Sequence, residues 1–180
     1  VTQAGTMKDS VLAKRIAVTE ARVAASGGSC QTTTCGHTVE AVAEAIRALA
    51  GDGCDPVLVF SATAIVDRAD VVPAGLVAAG GRIERLGMPV DPGNLLLLGA
   101  IGERAVIGIP TCAASPKLNG FDWVLERCLA DCPVSGDDIA AMGVGGLLKE
   151  IASRPQPREG DARDATPDAQ PRRAPRLAAI

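Results

Sequence analysis

Aromatic residues are scarce in this 180-residue chain, which has two phenylalanines, one tryptophan and no tyrosine. Single-stranded nucleic acids are usually held on stacked aromatic side chains, and three rings offer little for such a surface. The net charge of −3 and the isoelectric point near 5.2 also disfavour binding to a polyanion. We therefore expect no nucleic-acid partner and a core made of aliphatic side chains.

Long apolar runs are also lacking. A membrane helix needs about 18 apolar residues in a row, whereas the longest aliphatic cluster, residues 95–98, ends at Gly99. The first eight residues do not join a charged segment to an apolar one, as a secretory signal would, and they do not begin with Met. The sequence predicts a cytoplasmic protein without a membrane contact, in which residues 1–8 are a linker or a truncated start.

Histidine is limited to His37, whereas cysteine occurs six times. An even number of cysteines favours disulfides in a short secreted chain. No export signal is visible here, and a chain with 47% apolar residues can bury a core without cross-links, so we expect reduced thiols inside that core. Cys128 and Cys132 have helical spacing, but no second close pair has the spacing of metal ligands, so no zinc site is expected.

Hydrophobic periodicity and capping residues predict an α/β domain at residues 9–152. Helices are predicted at residues 11–25 behind an Asp9-Ser10 cap, 39–50 behind Thr38, 71–79, 121–130, and in a short segment opened by Ser135 and Asp138. Strands are predicted at residues 29–34, 56–60 and 82–88, and in a β-hairpin formed by 95–98 and 105–109.

Helices that alternate with strands favour a three-layer sandwich with a mainly parallel sheet and this β-hairpin. The segment of residues 153–180 differs in kind, because it is rich in proline and arginine and poor in apolar residues. Such a composition cannot add to a core, so it predicts a disordered tail or linker.

Two predicted loops, residues 61–70 and 110–120, follow strands and should meet at one edge of the sheet, where α/β proteins bind ligands. Asp67 and Asp70 in the first loop are two carboxylates that could hold Mg²⁺ or orient a nucleophile. The alternative is an ordinary charged surface loop. Ser61 and Thr63 add hydroxyl groups to the same segment.

The second loop contains Thr111, Ser115, Lys117 and Asn119 just before a predicted helix. Hydroxyl, amide and ammonium groups near a helix start suit a phosphate. A capped loop with a solvated lysine is the equally open alternative. The chain has no phosphate-loop or dinucleotide-binding glycine motif and no Ser/His/Asp set that His37 could complete, so His37 is interpreted as a cap or surface residue.

The order of three segments along the chain is characteristic. The apolar strand at 57–60 with the loop to Asp67 comes first, then Pro92-Gly93-Asn94, then Gly108-Ile109-Pro110. This order resembles the molybdopterin-binding domain family, which is shared by molybdopterin adenylyltransferase, molybdopterin molybdenumtransferase and gephyrin. That family has a Gly-Gly loop that ends in an acid, a Pro-Gly-Lys-Pro turn and a Leu-Pro-Gly-Asn-Pro loop. Asp9 and Ser10 are similar to the Asp-Ser that begins the first helix of the family.

The chain also departs from the family pattern. Ser61 and Ala62 stand in place of the glycines, Asn94 in place of the turn lysine, and residues 111–113 in place of Gly-Asn-Pro. Added Cβ atoms restrict how closely a pterin or phosphate approaches the backbone. These differences imply that the loops contact the ligand differently from the glycine-containing loops of the family. The first strand of the family has no counterpart before Lys8, and we expect the sheet to lack it. Residues 112–125 are most similar to a bacterial subgroup joined to a molybdenum cofactor cytidylyltransferase-like domain.

The resemblance implies that the domain binds molybdopterin or the molybdenum cofactor during cofactor biosynthesis, with nucleotidyl transfer or metal insertion if it is an enzyme. The implied catalytic residues are Asp67 and Asp70, with Mg²⁺ on Asp67. The implied binding residues are Asp9, Ser10, Ser61, Thr63, Pro92, Gly93, Asn94, Pro110, Thr111, Ser115, Lys117 and Asn119. A nucleotide, a nucleotidyltransferase-like domain and further copies of the chain are the implied partners. The alternatives are a non-catalytic interaction or regulatory domain and an unrelated small-molecule binder.

Overall fold

The computed structural model describes residues 8–143 in full and residues 2–4 by their backbone. By its internal contacts the chain divides into a unit of Val1–Lys149 and a second unit of Glu150–Ile180. The second unit, which contains the predicted tail at 153–180, lies outside the described residues, as does most of the predicted linker at 1–8.

Strands and helices alternate in the first half of the described residues, after which three successive strands precede two helices. The helices are α1 (Asp9–Ala25), α2 (Val39–Gly51), α3 (Val71–Ala78), α4 (Gly120–Leu129) and α5 (Gly136–Ala141). The strands are β1 (Thr2–Ala4), β2 (Thr34–Gly36), β3 (Val57–Phe60), β4 (Arg82–Leu86), β5 (Leu97–Ile101) and β6 (Arg104–Ile109). A 3-10 helix, Thr111–Ala114, follows β6. None of the helices in this part of the chain is long and apolar enough to cross a membrane.

The helix starts follow local side-chain chemistry in α2 and α5 but not in α1. Thr38 accepts a hydrogen bond from the Ala41 N–H at 3.2 Å, and Ser135 forms a capping box with Asp138. The predicted Asp9-Ser10 cap is wrong, because α1 already begins at Asp9 and Lys8 is its uncapped N-cap residue. Asp9 instead lies in the first turn, where a carboxylate faces the positive end of the helix dipole.

The main sheet has four strands in the order β3-β6-β5-β4. Only the β3–β6 pair is parallel, whereas β5 is antiparallel to both β6 and β4. The α/β class is therefore confirmed, and the mainly parallel sheet is corrected to a mixed one. The predicted hairpin accounts for part of the difference, since a two-residue turn at Gly102 and Glu103 can join β5 to β6 only in the antiparallel sense.

A second, two-stranded sheet pairs β1 with β2 in parallel, with Thr2 opposite Thr34. A short strand therefore precedes Lys8, but it belongs to this second sheet and adds no strand to the main one. The predicted strand at residues 29–34 is shifted toward the carboxyl end of the chain, to Thr34–Gly36. Both segments are only three residues long, so pairing with a distant segment decides them and local sequence does not.

Helices cover both faces of the main sheet. On one face, Val57, Val59 and Val106 pack in a cluster with buried residues of α2 and α3. On the other face, Ile107 and Ile109 pack with Val23 of α1 and with buried residues of α4 and α5. The period-two alternation of the strand side chains divides the apolar residues between two cores.

The six cysteines are free, but they are not core residues. Cys30, Cys112 and Cys132 are exposed, and the other three are half-buried. The expectation of reduced core thiols is therefore wrong about their location. The buried residues of both cores are mostly larger aliphatic side chains, and the half-buried Cys35, Cys54 and Cys128 pack against these cores from outside.

Close packing between α2 and α3 depends on Gly75. An added Cβ at Gly75 would lie 2.7 Å from Val42 Cγ1 and 3.3 Å from the Val39 carbonyl oxygen. We expect Gly75→Ala to lower the free energy of unfolding by about 1–3 kcal/mol, since overpacking outweighs the better helix propensity of alanine. Urea denaturation measures this change.

Gly51→Ala is the matched control, because a Cβ at Gly51 meets nothing within 4 Å. Its effect should be neutral or stabilising by up to about 1 kcal/mol. In a double-mutant cycle, Val42→Ala should recover part of the loss caused by Gly75→Ala. Equal stability of the two glycine variants would contradict this account of the α2–α3 contact.

Candidate functional site

Three loops meet at one edge of the main sheet. Parallel pairing places Phe60 of β3 opposite Ile109 of β6, so the loops of residues 61–70 and 110–119 leave the sheet together, as expected. Leu97 lies opposite both Gly108 and Leu86, which brings the connection of residues 87–96 to the same edge. We call the loops 61–70, 87–96 and 110–119 the three-loop edge.

The first loop is anchored at Ser61 and exposed at Thr63. The Ser61 residue is buried, its Oγ accepts a hydrogen bond from the Thr63 N–H at 3.3 Å, and its carbonyl oxygen accepts one from Arg15. The Thr63 side chain faces solvent. Of the two predicted hydroxyl contacts, Ser61 shapes the loop and Thr63 is available to a ligand.

Asp67 and Asp70 also hold the first loop in shape. Asp70 Oδ2 accepts hydrogen bonds from the backbone N–H groups of Val66 at 2.8 Å and Asp67 at 2.9 Å. These two donors lower the pKa of Asp70 below its ordinary value, because they stabilise the ionised carboxylate. Asp67 Oδ1 accepts from the Ala69 N–H at 2.7 Å. The hydrogen bonds use one oxygen of each carboxylate.

No group of three or more His, Cys, Asp or Glu side chains able to hold a metal occurs in residues 8–143. Mg²⁺ is often bound by one or two carboxylates together with substrate phosphates and water. Asp67 and Asp70 fit that partial donor set, with one carboxylate oxygen each left by the loop hydrogen bonds.

The middle loop packs tightly on the third. The Pro92 carbonyl oxygen accepts a hydrogen bond from the Gly120 N–H at 2.8 Å. Gly93 has a φ of 131°, and a Cβ there would lie 2.9 Å from Asn119 Oδ1. Only glycine fits this left-handed, crowded position. Pro92 and Gly93 therefore shape the edge, whereas the side chain of the neighbouring Asn94 is exposed.

The third loop uses much of its polar chemistry internally. Ser115 Oγ accepts a hydrogen bond from the Lys117 N–H at 3.3 Å. Asn119 is only 1% exposed, caps α4 through the Phe121 N–H and donates to Cys112 Sγ at 3.2 Å. Lys117 itself has an exposed side chain. Of the residues predicted to bind a phosphate, Ser115 and Asn119 thus stabilise the loop itself, whereas Lys117 is an accessible cation.

Pro110 and Thr111 connect β6 to the third loop. Pro110 is buried and is the N-cap residue of the 3-10 helix, whereas Thr111 begins that helix and is half-buried. Asp9 and Ser10 are exposed in the first turn of α1, and among the described hydrogen bonds neither contacts the three-loop edge. The placement of Asp9 and Ser10 at the site therefore stays a prediction.

Sequence reasoning missed Arg22 of α1. Its guanidinium donates to the carbonyl oxygens of Ala113 at 2.7 Å, Ser115 at 2.8 Å and Lys117 at 3.3 Å. It also forms an ion pair with Asp122. The available signal was that Arg15 and Arg22, seven residues apart, share one face of α1. Each of them contacts a different loop of the edge.

Comparison with known proteins found no family model, no curated protein and no solved structure that matches this chain. The resemblance to the molybdopterin-binding domain family thus stays a prediction.

The Arg22 contacts predict a large effect on stability. Arg22→Met keeps most of the apolar stem but leaves Asp122 and three carbonyl groups without the cation. Both charged side chains are 13% exposed, so the pair is partly buried, and we expect the free energy of unfolding to fall by about 3 kcal/mol, the low end of the cost of removing one partner from a buried pair. Urea denaturation measures the loss.

Arg47→Met is the control, since Arg47 makes an exposed hydrogen bond to the Ala78 carbonyl oxygen. Its change should stay within about 0.5 kcal/mol. If Arg22→Met costs no more than Arg47→Met, Arg22 does not hold the third loop.

Proposed function

We propose that the domain at residues 9–152 binds molybdopterin or the molybdenum cofactor at the three-loop edge during cofactor biosynthesis or maturation. The observation that carries this proposal is the strand register of β3, β6, β5 and β4. It brings together at one edge the three segments on which the resemblance depends.

Exposed polar side chains occur in all three loops and include Thr63, Asn94 and Lys117. The Lys117 ammonium suits a phosphate group, and an amide such as Asn94 can both donate to and accept from the amide-like edge of a pterin. The Thr63 hydroxyl can take either role. Ser61, Ser115 and Asn119 support these three through the hydrogen bonds that shape the loops.

A catalytic form of the proposal assigns nucleotidyl transfer or metal insertion to the same edge. Asp67 and Asp70 would hold Mg²⁺ with the phosphates of the ligand, and the ion would offset the charge that develops on them. The chain's own residues would orient the phosphate through Lys117 and fix the first loop through the backbone hydrogen bonds of Asp70. A nucleotide, a nucleotidyltransferase-like domain and further copies of the chain are the proposed partners.

A second candidate is a non-catalytic interaction domain with the same fold. Val66 is 65% exposed and Leu118 is 55% exposed, and they lie beside Asp67 and Lys117. A contiguous apolar patch with a polar rim is typical of surfaces that contact another protein, and these two side chains would supply apolar area to such a patch. Ligand binding without turnover would favour this candidate.

Binding is tested on the purified chain by calorimetric titration with molybdopterin and by fluorescence of pterin extracted after purification. We expect about one ligand per chain. Lys117→Gln and Thr63→Val should each weaken binding about tenfold, as expected when a charge-assisted or buried ligand hydrogen bond is lost. Lys14→Gln, a change of an exposed lysine on α1, should have no effect. A folded chain that neither carries pterin nor binds it would contradict the proposal.

Turnover is tested with bound molybdopterin plus Mg-ATP or Mg-CTP, by measuring release of pyrophosphate. Asp67→Asn keeps the Oδ1 acceptor for the Ala69 N–H, so its fold and pterin binding should be retained while turnover is abolished. Unchanged turnover would remove Asp67 from the proposed role. Stoichiometric binding by the wild-type chain with no turnover for either nucleotide would support the non-catalytic candidate.

A further inference from the structure

Arg15 of α1 lies at the three-loop edge and carries a charge that no carboxylate balances. Its Nη1 donates a hydrogen bond to the carbonyl oxygen of Ser61 at 3.3 Å, just beyond the end of β3. The ion pairs formed among residues 8–143 do not include Arg15. Charges that are withdrawn from water are normally paired, because the lost hydration is otherwise uncompensated. Arg15 is therefore a cation with a place for an anionic partner.

The Arg15 guanidinium is partly buried. Its Nε is enclosed by the protein and has no hydrogen-bond partner. Burial lowers the pKa of Arg15, and no carboxylate acts in the opposite direction. An anion bound to the guanidinium would supply the stabilisation of the charged form that the fold itself does not provide.

Arg22, two turns further along the same face of α1, has the partners that Arg15 lacks. It forms an ion pair with Asp122 and donates to three carbonyl oxygens. Arg15 has one hydrogen bond, and its length of 3.3 Å lies beyond the usual range for N–H···O. The two guanidiniums therefore differ in role, because the third loop satisfies Arg22 whereas the first loop gives Arg15 a single carbonyl group.

The end of the Arg15 guanidinium is the part that a ligand can reach. Nε is enclosed, so it makes no contact with a ligand. Nη2 donates no hydrogen bond among the described contacts, yet it is not enclosed as Nε is. Nη2 and the second N–H of Nη1 form a fork, and such a fork matches two oxygens of a phosphate or carboxylate group.

The first loop leaves a hydroxyl group beside this fork and keeps its carboxylates occupied. Thr63 is two residues beyond the Ser61 carbonyl, and its exposed side chain forms none of the described hydrogen bonds. Asp67 and Asp70 accept hydrogen bonds from backbone N–H groups of the loop, and neither acts on the pKa of Arg15. An anion at Arg15 would thus gain a hydroxyl donor without a carboxylate competing for the guanidinium.

We propose that Arg15 binds a phosphate group of the ligand at the three-loop edge, with two phosphate oxygens on Nη1 and Nη2 and a hydrogen bond from the Thr63 hydroxyl to the same group. The inference deepens the proposed function, on which it rests for the natural ligand. A carboxylate group has the same fork chemistry, so the test compares the two anions.

The test titrates inorganic phosphate, acetate and chloride into the isotope-labelled chain near neutral pH and at constant ionic strength, followed by NMR. The Nε–H signal of Arg15 is the reporter, since this atom is enclosed, and that of Arg22, which is bonded to Asp122, is the internal control. Phosphate should bind in the millimolar range and shift the Arg15 signal and the amides of residues 61–64, but not the Arg22 signal. Acetate should bind about fivefold more weakly because of its smaller charge, and chloride should give no saturable shift.

Variants of Arg15 separate ligand binding from a purely structural role. Arg15→Met should weaken phosphate binding at least about tenfold, and Arg15→Lys, which keeps the charge but loses the fork, about threefold. Arg47→Met is the matched control, because Arg47 also donates to one backbone carbonyl group but lies on α2, and it should bind phosphate as the wild type does. Phosphate should raise the Tm of the wild type and of Arg47→Met but not that of Arg15→Met, whereas a mere loop anchor would lower Tm equally with and without phosphate.

Three results would overturn the proposal. These are wild-type phosphate affinity in Arg15→Met, phosphate shifts confined to the residues around Lys117, and no saturable binding by the folded wild-type chain. If Arg15→Met does not fold, the wild-type Arg15 signal and Arg15→Lys still decide the outcome. Since no pterin is used, the two proposals fail separately: equal pterin binding by the wild type and Arg15→Met would remove Arg15 from the site and leave the proposed function intact.

Discussion

The Arg22 guanidinium joins α1 to the third loop through three backbone carbonyl groups and the Asp122 carboxylate. Asp122 is bound on both sides, because its other oxygen accepts the Asn119 N–H in the capping box of α4. Asn119 in turn lies against Gly93, where no side chain fits. One ion pair thus connects α1, the start of α4 and two of the three loops.

This chain of contacts limits what the three-loop edge can offer a ligand. Ser115 and Asn119 are polar residues at a helix start, yet their side chains stabilise the loop itself. Asp70 behaves in the same way, because two backbone N–H groups bind its carboxylate. The groups left exposed are fewer than the sequence suggested, and they are distributed over different loops. A ligand that spans the loops fits this arrangement better than a small ion held by one of them.

Local signals predicted the elements better than their arrangement. Thr38, the apolar run at 57–60 and the β5–β6 hairpin were predictable because each depends on residues close in sequence. The mixed sheet was not predictable in this way, since strand direction depends on pairing between distant segments. The burial of the cysteines was predicted wrongly for a related reason, because it is decided by which larger side chains fill the two cores.

Prediction of the candidate site was limited in the same way, because local sequence does not show contacts between distant segments. Asp67, Asp70 and Lys117 could be chosen from the sequence because loops after strands are where ligands bind. The role of Arg22 could not, since it depends on contacts across 91 to 95 residues of chain. Spacing on a helix shows that Arg15 and Arg22 share a face, but it does not show what that face contacts.

Helix α1 serves two regions of the molecule through two adjacent faces. Arg15 and Arg22 bind the first and third loops, whereas Ile16, Thr19 and Val23 line a cavity beside β3. Interiors are close-packed, so a helix fixed by hydrogen bonds on one face cannot move freely on the next. The same ion pair that shapes the three-loop edge therefore also restrains the face of α1 that lines the cavity.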